Sequence, residues 1–355
     1  MTATVSPAGH AQHGAAPRGR ALGADGTLPL LPVSSIGSLP KPRDLFRSEM
    51  APLKEQDQEA MLATQRSAVD MWLDLQREAG VDVAVDGEQY RRSMTTYFLE
   101  GWGCADVDPD PVWVMDNMYG QRAVISRPAT RPRALLADWY RYAQERSPLP
   151  LKVTVTGPYT LRDWVFDTYY PTRPDAVRAM AEYVREEVRG LIAAGVRYLQ
   201  IDEPAFVTRY DQPDELDLAV TAMQRVLDGV PDEVTVFTHM CYGAFHEVYP
   251  KMLDLPARVF CLELSHVSPE LLNILRRVPY PGDRGIGFGV VDAMDPRVEA
   301  VEEIEGRIRL ALDFFAPEQL WLNPDCGLQT LPHDSAVGKL RNLAEAARRV
   351  RERLR

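Results

Sequence analysis

Short runs of β-branched and apolar residues recur along the chain and alternate with longer segments in which apolar residues return every three or four positions. The short runs predict buried β-strands, and the longer segments predict amphipathic helices. Eight runs follow one another after residue 30, at 31–38, 81–88, 151–158, 196–204, 233–241, 257–265, 285–293 and 320–327.

The segment 297–315 is one of the predicted helices. Its apolar residues recur at spacings of three, three, four and four, which places them on one helix face: Val298, Val301, Ile304, Ile308 and Leu312. The Asp295-Pro296 pair before it is typical of a helix start. Residues 175–194 repeat the same periodicity, so a second long helix is predicted there.

Eight strands that alternate with helices predict an α/β protein, and we expect a single (β/α)8 TIM barrel over 31–355. The main alternative is a doubly wound open sheet, but no G-x-G-x-x-G follows the first strand and no P-loop occurs. Residues 91–131, which include Trp102, Trp113 and Tyr119, are too long for a simple βα loop. They predict a cap insertion beside the barrel mouth, the carboxyl ends of the strands.

The composition excludes several classes of protein. The chain has 355 residues, 45% of them hydrophobic, and a formal net charge of −11. This apolar content, without a heptad or G-x-y period, excludes disordered, coiled-coil and collagen chains. The acidic balance with scattered Lys and Arg argues against nucleic-acid binding, so a small molecule is the expected partner.

The cysteines and the first thirty residues indicate the cellular compartment in which we expect the protein. Four cysteines, dispersed over the chain, are too few for a disulfide scaffold, so we expect reduced thiols in the cytoplasm. No apolar run reaches the roughly 18 to 20 residues that span a bilayer. Residues 1–30 lack the apolar core of a signal peptide and predict a flexible tail in which His10 and His13 are solvated.

Polar residues end several predicted strands, and in a barrel these ends meet at one mouth. The fifth run ends in Thr238-His239-Met240-Cys241, the sixth in Leu262-Glu263-Leu264, and the eighth in Asn323-Pro324-Asp325-Cys326-Gly327. Residues two apart in a strand point to the same side, so His239 and Cys241 converge. One imidazole, one carboxylate and two thiols form a set that suits zinc. We therefore predict a Zn²⁺ site made by His239, Cys241, Glu263 and Cys326.

The alternative for any one cysteine is a small apolar core residue, and we prefer that interpretation for Cys104 and Cys261. An H-x-C pair is also common by chance. Structural zinc sites usually draw their ligands from tight C-x2-C loops. Ligands spread from 239 to 326 over three strands favour a working site instead.

Three further strand ends suit an amino-acid ligand. Asp86-Gly87-Glu88 and Asp202-Glu203-Pro204 bring carboxylates to the mouth, and Ile36-Gly37-Ser38 offers main-chain amides to a substrate carboxylate. Carboxylates opposite amide donors match a zwitterion. For Asp86 and Glu203, capping a helix or holding the rim is an equally weighted alternative.

These residues lie in motifs that resemble the catalytic carboxyl-terminal barrel of cobalamin-independent methionine synthases, and in particular its short single-barrel form. The matching segments are Ser35-Ile36-Gly37-Ser38-Leu39-Pro40, Asp86-Gly87-Glu88, Thr156-Gly157-Pro158-Tyr159-Thr160-Leu161, Gln200-Ile201-Asp202-Glu203-Pro204-Ala205, Thr238-His239-Met240-Cys241-Tyr242 and Leu320-Trp321-Leu322-Asn323-Pro324-Asp325-Cys326-Gly327-Leu328. Full-length members carry an additional amino-terminal barrel, which we do not expect in this chain.

The resemblance implies roles for individual residues. It implies that the four residues already predicted are the zinc ligands, and that Trp164 packs against the pterin ring of a folate donor. It assigns homocysteine to Ile36, Gly37, Ser38, Glu88 and Asp202. The donor side departs from the family: Met294 stands where folate-dependent members have a proton-donating histidine, and Thr208 stands where they have a glutamate.

The resulting hypothesis is a zinc-dependent S-methyltransferase that forms methionine, in which the substrate thiol binds zinc as a thiolate, displacing water or Glu263. The catalytic proton donor is unknown, because Met294 cannot relay a proton. The methyl donor is therefore left open between methylfolate and a methylated corrinoid, such as a corrinoid protein. Two alternatives remain: a thiol alkyltransferase or carbon–sulfur lyase similar to epoxide:coenzyme M transferase, and a non-catalytic zinc-binding or corrinoid-partner protein.

Overall fold

A sheet of six parallel strands forms the centre of the protein, as seen in a computed structural model that describes residues 21–23, 26–50, 57–115, 118–241 and 243–355. The strands are β1 (Ala105–Met115), β2 (Met118–Ile125), β3 (Lys152–Thr156), β4 (Phe166–Asp167), β5 (Tyr198–Asp202), β6 (Thr235–Met240), β7 (Val259–Leu262), β8 (Gly285–Val291) and β9 (Leu320–Pro324). The helices are α1 (Arg43–Met50), α2 (Gln58–Ala79), α3 (Thr96–Trp102), α4 (Ala137–Gln144), α5 (Pro158–Asp163), α6 (Arg173–Ala193), α7 (Pro204–Val207), α8 (Pro213–Leu227), α9 (Phe245–Val248), α10 (Pro269–Arg277), α11 (Val301–Leu312) and α12 (His333–Arg353).

The central sheet follows the order of the chain, β3-β5-β6-β7-β8-β9, and every neighbouring pair in it is parallel. Each of its strands lies within one of the last six predicted runs, and helices lie between successive strands. The predicted α/β class is therefore confirmed. Since all six strands run the same way, their carboxyl ends meet at one edge.

The first two predicted runs do not form named strands, which differs from the prediction of eight strands. They make single parallel bridges instead: Val33 with Leu322, Ser34 with Val83, and Ala84 with Leu151. Pro32 has no N–H to extend a ladder, and Leu31 adopts a φ of 52°. The second run turns at Gly87 and Glu88, whose φ angles are 71° and 56°. Both segments are therefore too short for a regular strand.

Aromatic and aliphatic side chains fill the interior at the amino ends of the strands. This group, the interior cluster, consists of Ala21, Leu28, Ile36, Val83, Tyr198, Phe237, Val259, Cys261 and Trp321, all of them buried. The Trp321 indole packs edge-on against the Phe237 ring at 4.9 Å between centroids. A second and much larger apolar cluster lies between the outer face of the sheet and the helices.

The described end of the predicted flexible tail is packed rather than free. Ala21 and Leu22 are each 2% exposed. The Trp321 Nε1–H donates to the Leu22 carbonyl at 2.8 Å, and the Thr235 hydroxyl donates to the Gly23 carbonyl. These contacts join residues about 200 to 300 positions apart, which no local pattern reveals. His10 and His13 lie outside the described residues.

The segment 91–131 contains helix α3 and the antiparallel pair β1–β2. Strand β4 adds to β2 in parallel, so these strands form a three-stranded sheet separate from the central one. Trp113 on β1 is paired in register with Tyr119 on β2. Trp102, at the end of α3, is fully buried and its indole donates to the Arg133 carbonyl at 3.2 Å.

Helix α11 begins later than the sequence pattern predicts. The Asp295 side chain accepts from the Arg297 amide at 2.9 Å, which forms a turn that competes with the first helical turn. Val298 is consequently 38% exposed, whereas Ile304 and Ile308 are buried as expected. None of the helices in the described part of the chain is long and apolar enough to cross a bilayer.

Candidate metal and thiol-binding site

Three side chains that could hold a metal converge at the carboxyl ends of β6 and β9. His239 lies in β6, Cys241 follows that strand, and Cys326 follows β9 by two residues. One ligand atom from each residue lies within 4.8 Å of the other two. His239 and Cys241 are 3% and 5% exposed, so the cluster is shielded from bulk water. The sequence prediction that these three residues meet agrees with this geometry.

The imidazole of His239 is oriented for a ligand. Its Nδ1 lies 3.1 Å from the Cys261 carbonyl, so a proton on Nδ1 is donated to that oxygen. Its Nε2 is buried and has no hydrogen-bond partner among the described residues. A metal-bound histidine commonly donates its other ring N–H to a carbonyl in this way. The orphaned Nε2 beside two thiols fits a zinc ion.

The two thiols of the cluster are coupled to each other. A hydrogen bond between the Cys241 and Cys326 sulfurs lowers the pKa of Cys326 and raises the pKa of Cys241. The contact therefore favours the thiolate form of Cys326. Metal ions bind the thiolate form of cysteine, so this shift favours metal binding.

Glu263, the fourth predicted ligand, directly follows β7 and is half-buried. It does not belong to the group of three within the described residues. The contact with Cys326 and burial raise the pKa of Cys241, and the negative charge of Glu263 raises it further. The carboxylate thus faces the same space from a third strand.

The other two cysteines lie in apolar surroundings. Cys104 is fully buried and Cys261 is 1% exposed. Burial raises the pKa of each of these thiols to about 11, so both are protonated at neutral pH. Their surroundings agree with the interpretation of both as core residues.

Asp325 links two of the strand ends that form the site. Its Oδ1 accepts from the main-chain amides of Leu264 and Ser265, each at 2.9 Å, and its Oδ2 accepts from the Ser265 hydroxyl. These bonds join the residue before Cys326 to the residues after Glu263. A Cβ on Gly289 of β8 would lie 2.2 Å from Asp325 Oδ1, so only glycine fits there. No role for Asp325 was predicted from the sequence, although its place beside Cys326 was a signal.

Two carboxylates lie beside the cluster. Asp202 is the register neighbour of His239 across β5 and β6, and the Gln200 amide donates to its Oδ1 at 2.7 Å. Burial raises the pKa of Asp202 to about 7; the nearby His239 opposes this rise and the Glu88 charge adds to it. The Glu88 and Asp202 carboxylates are therefore close enough to repel each other. A ligand cation there would relieve the repulsion between them.

Glu88 is held in a fixed position. The Thr154 hydroxyl donates to its Oε1 at 2.6 Å, and the buried Arg91 guanidinium lies 3.5 Å from the same oxygen. The Asp86 carboxylate accepts from the Glu88 amide at 2.9 Å and from the Tyr90 hydroxyl at 2.5 Å. Asp86 thus stabilises the turn that carries Glu88, which matches the rim alternative.

The first strand end lies close to Glu88. A Cβ on Gly37 would lie 2.6 Å from Glu88 Oε1, so the main chain approaches the carboxylate closely. Ile36 is buried in the interior cluster. The Ser38 carbonyl accepts from the Leu328 amide at 2.8 Å, which ties this segment to the loop after Cys326.

Glu203 caps a helix. It is fully buried, and its carboxylate accepts from the amides of Tyr159 and Thr160 at 3.0 and 2.9 Å and from the Thr160 hydroxyl at 2.7 Å. These are donors at the start of α5, so the capping alternative describes this residue. Trp164, the residue that ends α5, is half-buried against the main apolar cluster.

The remaining donor-side positions lie at the same edge. Thr208 ends α7, and its hydroxyl donates to the Ala205 carbonyl at 2.9 Å. Met294 follows β8 by three residues and is 37% exposed. Neither side chain is an acid that could protonate a leaving group.

The chain is similar to known proteins over most of its length. Residues 31–349 match the family model described as the catalytic domain of cobalamin-independent synthase. A 5-methyltetrahydropteroyltriglutamate–homocysteine methyltransferase of Salinibacter ruber is 35% identical over 92% of this chain and 43% of its own length. A methionine synthase of Pyrococcus abyssi is 34% identical over 92% of this chain and 95% of its own length.

Among solved structures, a B12-independent methionine synthase of Shewanella sp. W3-18-1, in complex with selenomethionine, superposes with a TM-score of 0.80. It is 29% identical, and the match covers 92% of this chain and 99% of that one. The chain spans less than half the length of the methyltransferases similar to that of Salinibacter ruber. By the family model and these relatives, the chain belongs to the cobalamin-independent methionine synthase family, in the part that corresponds to its catalytic domain.

Proposed function

We propose that this protein is a zinc-dependent S-methyltransferase that transfers a methyl group to the thiol of homocysteine and forms methionine. The observation that carries this proposal is the convergence of His239, Cys241 and Cys326 beside the carboxylates of Asp202 and Glu88. Homocysteine carries a thiol, which a metal at the cluster can bind, and an ammonium group, which the two carboxylates can bind. The names of the relatives from Salinibacter ruber and Pyrococcus abyssi support the same reaction.

The metal ligands in this proposal are His239, Cys241 and Cys326, with Glu263 as the fourth. Zinc bound by these residues would supply Lewis-acid chemistry that lowers the pKa of the substrate thiol. Such help is needed because a free thiol, with a pKa of about 8.5, is only a few per cent ionised at pH 7. Two cysteine sulfurs donate electron density to the site, which keeps a bound substrate sulfur nucleophilic.

Asp202 and Glu88 would bind the ammonium group of homocysteine, and amides of Ile36, Gly37 and Ser38 would bind its carboxylate. Charge-assisted hydrogen bonds to the ammonium contribute about 1.5 to 3 kcal/mol each. Because Asp202 neighbours His239 in the sheet, the ammonium and the sulfur of one small molecule can reach both groups together. This spacing selects an amino-acid thiol.

For the methyl donor we propose a reduced N5-methylfolate, the substrate named in the Salinibacter ruber relative. Trp164 would pack against its pterin ring. A methylated corrinoid is the other donor that the sequence left open, and no contact among the described residues favours it. An assay with each donor in turn distinguishes between methylfolate and a methylated corrinoid.

We further propose that residues 31–355 form one catalytic (β/α)8 barrel, with a cap near 91–131. The parallel bridges of Val33, Ser34 and Ala84 support closure, since they connect β9 to β3 through the first two predicted strands. The separate β1–β2–β4 sheet supports a cap. Free thiols in the site suit a reducing compartment, and the cytoplasm is the proposed location.

The test combines metal analysis with a two-donor assay. Purified protein is expected to contain about one zinc per chain and to form methionine from homocysteine with methylfolate. Methylcobalamin and coenzyme M are offered in parallel as an alternative donor and an alternative thiol. Little zinc, with no methionine after zinc is added, would contradict the proposal; turnover of coenzyme M alone would indicate a different thiol substrate.

A further inference from the structure

An imidazole and a carboxylate face each other at the mouth, outside the metal cluster. His266 Nε2 lies 3.2 Å from Asp292 Oδ2. His266 belongs to the loop that follows β7, and Asp292 directly follows β8. These strands are neighbours, so both side chains lie at the edge of the sheet where the cluster forms.

Asp292 is fixed in its orientation. Its Oδ1 accepts from the amides of Met294 and Asp295 at 2.7 and 3.2 Å, and its Oδ2 is directed to His266. Burial alone would raise the pKa of Asp292, but these amides and the imidazole outweigh it and lower the pKa overall. The carboxylate is thus ionised, and it orients the imidazole ring through its contact with Nε2.

The main chain of the His266 loop is also fixed. The amides of Leu264 and Ser265 donate to Asp325, the residue before Cys326. The side chain of His266 itself is 71% exposed, whereas that of Asp292 is 22% exposed. An anchored main chain with an open ring leaves the second ring nitrogen, Nδ1, accessible to a bound molecule.

The proposed reaction needs an acid at this edge. As the S–CH₃ bond forms, the CH₃–N5 bond of the folate breaks, and its electron pair stays on N5. An anionic nitrogen is a very poor leaving group, so N5 must gain a proton during transfer. Met294, the side chain beside this pair, has a thioether and carries no proton to give.

We infer that His266 is the general acid for the departing folate nitrogen and that Asp292 positions it. This inference rests on the proposed function with a methylfolate donor. The Nδ1 proton of the His266 imidazolium passes to N5, and the ring keeps its Nε2 proton, which it donates to Asp292. Solvent then returns a proton to the exposed ring.

The alternative is an exposed ion pair at the rim, which would affect all methyl donors alike. A comparison of two donors distinguishes the two roles, because the cobalt of methylcobalamin leaves without needing a proton. The rate of methionine formation is measured with each donor for wild type, His266→Ala and Asp292→Asn. His246→Ala is the matched control, since His246 also faces a carboxylate, that of Glu247, at 3.4 Å.

We expect His266→Ala to reduce the ratio of the methylfolate rate to the methylcobalamin rate by about 10²- to 10⁴-fold. Asp292→Asn should reduce the ratio in the same direction by a smaller factor, and His246→Ala should leave it as in wild type. Zinc content is measured for every variant to establish that the site is intact.

A ratio unchanged by His266→Ala would overturn the inference while methyl transfer itself stands. Wild-type turnover with methylcobalamin but not with methylfolate would also overturn the inference. If wild-type protein loaded with zinc forms methionine from neither donor, the proposed function fails, and the inference fails with it.

Discussion

The carboxylate of Asp325 accepts hydrogen bonds from both the main-chain amide and the hydroxyl of Ser265. Ser265 lies two residues after Glu263, and Asp325 lies directly before Cys326. The bonds therefore join two strand ends that each supply a proposed zinc ligand. The distance between those ligands is set by this link as well as by the ladder of the sheet.

Replacing Asp325 by Asn should weaken zinc binding without unfolding the protein. The amide nitrogen of Asn cannot accept a hydrogen bond, so the contacts to Leu264 and Ser265 are only partly retained. We expect the zinc affinity to fall about 10- to 100-fold, as is typical when a residue that orients metal ligands is lost. Competition with a chromogenic chelator measures the zinc affinity of the variant and of wild type.

Asp334→Asn is the control for that experiment, because Asp334 is an exposed carboxylate at the start of α12. Equal zinc affinities for Asp325→Asn, Asp334→Asn and wild type would show that the Ser265 link has no part in metal binding.

Replacing Cys326 by Ser should remove both zinc and methyl transfer. A serine hydroxyl is not deprotonated at neutral pH and is a poor zinc ligand beside Cys241 and His239. Metal analysis after dialysis is the direct measurement. Cys104→Ala, which changes a buried thiol in the apolar core, should retain zinc. Stoichiometric zinc in Cys326→Ser would remove Cys326 from the ligand set.

Replacing Asp202 by Asn should leave zinc in place and raise KM for homocysteine. The loss of a charge-assisted hydrogen bond of about 1.5 to 3 kcal/mol corresponds to a 10- to 150-fold rise. Steady-state kinetics and metal analysis on the same preparation separate the two roles. Loss of zinc together with the rise in KM would assign Asp202 to the metal site rather than to the ammonium.

Glu187 should make the stability of the protein depend on pH. Burial raises the pKa of Glu187 to about 7, although the amides of Leu135 and Leu136 and the charge of Arg91 oppose this shift. Between its unfolded pKa of about 4.5 and about 7, the folded state keeps a proton that the unfolded state has lost. The free energy of unfolding therefore falls as the pH rises through this window, by about 3 kcal/mol for this one group.

Glu187→Gln removes this titration. The unfolding free energy of the variant, relative to wild type, should rise by about 3 kcal/mol between pH 4.5 and pH 8, as measured by urea unfolding. The control is Glu186→Gln, since Glu186 is exposed and paired with Arg189. A parallel pH dependence for Glu187→Gln and wild type would contradict the raised pKa.

Much of the fold was predictable because the signals are local. Six strands lie in short runs of β-branched and apolar residues and are buried throughout. The position of strand-end residues, such as His239 and Cys326, follows from the common direction of the strands. The start of α11 was predicted too early, because the Asp295 side chain competes for the Arg297 amide.

Other features depend on contacts between distant residues. The packing of Leu22 against Trp321 joins positions 299 residues apart, and a sequence rich in Ala, Gly and Pro gives no sign of it. Asp325 stood in a recognised motif, but its partners Leu264 and Ser265 are about 60 positions away. Whether Glu263 completes the zinc site remains a prediction.

The interior cluster has a consequence for the order of binding. Tyr198, Phe237 and Trp321, with Leu22 beneath them, fill the space at the amino ends of the strands. In the described part of the chain, this packing leaves the carboxyl ends of the strands as the expected route to His239 and Cys241, and under the proposed function the thiol and the methyl donor would share it. Under the proposed function, an amino-acid thiol bound at the buried cluster would lie deeper than the methyl donor, so we expect a compulsory-order mechanism in which the thiol binds before the donor.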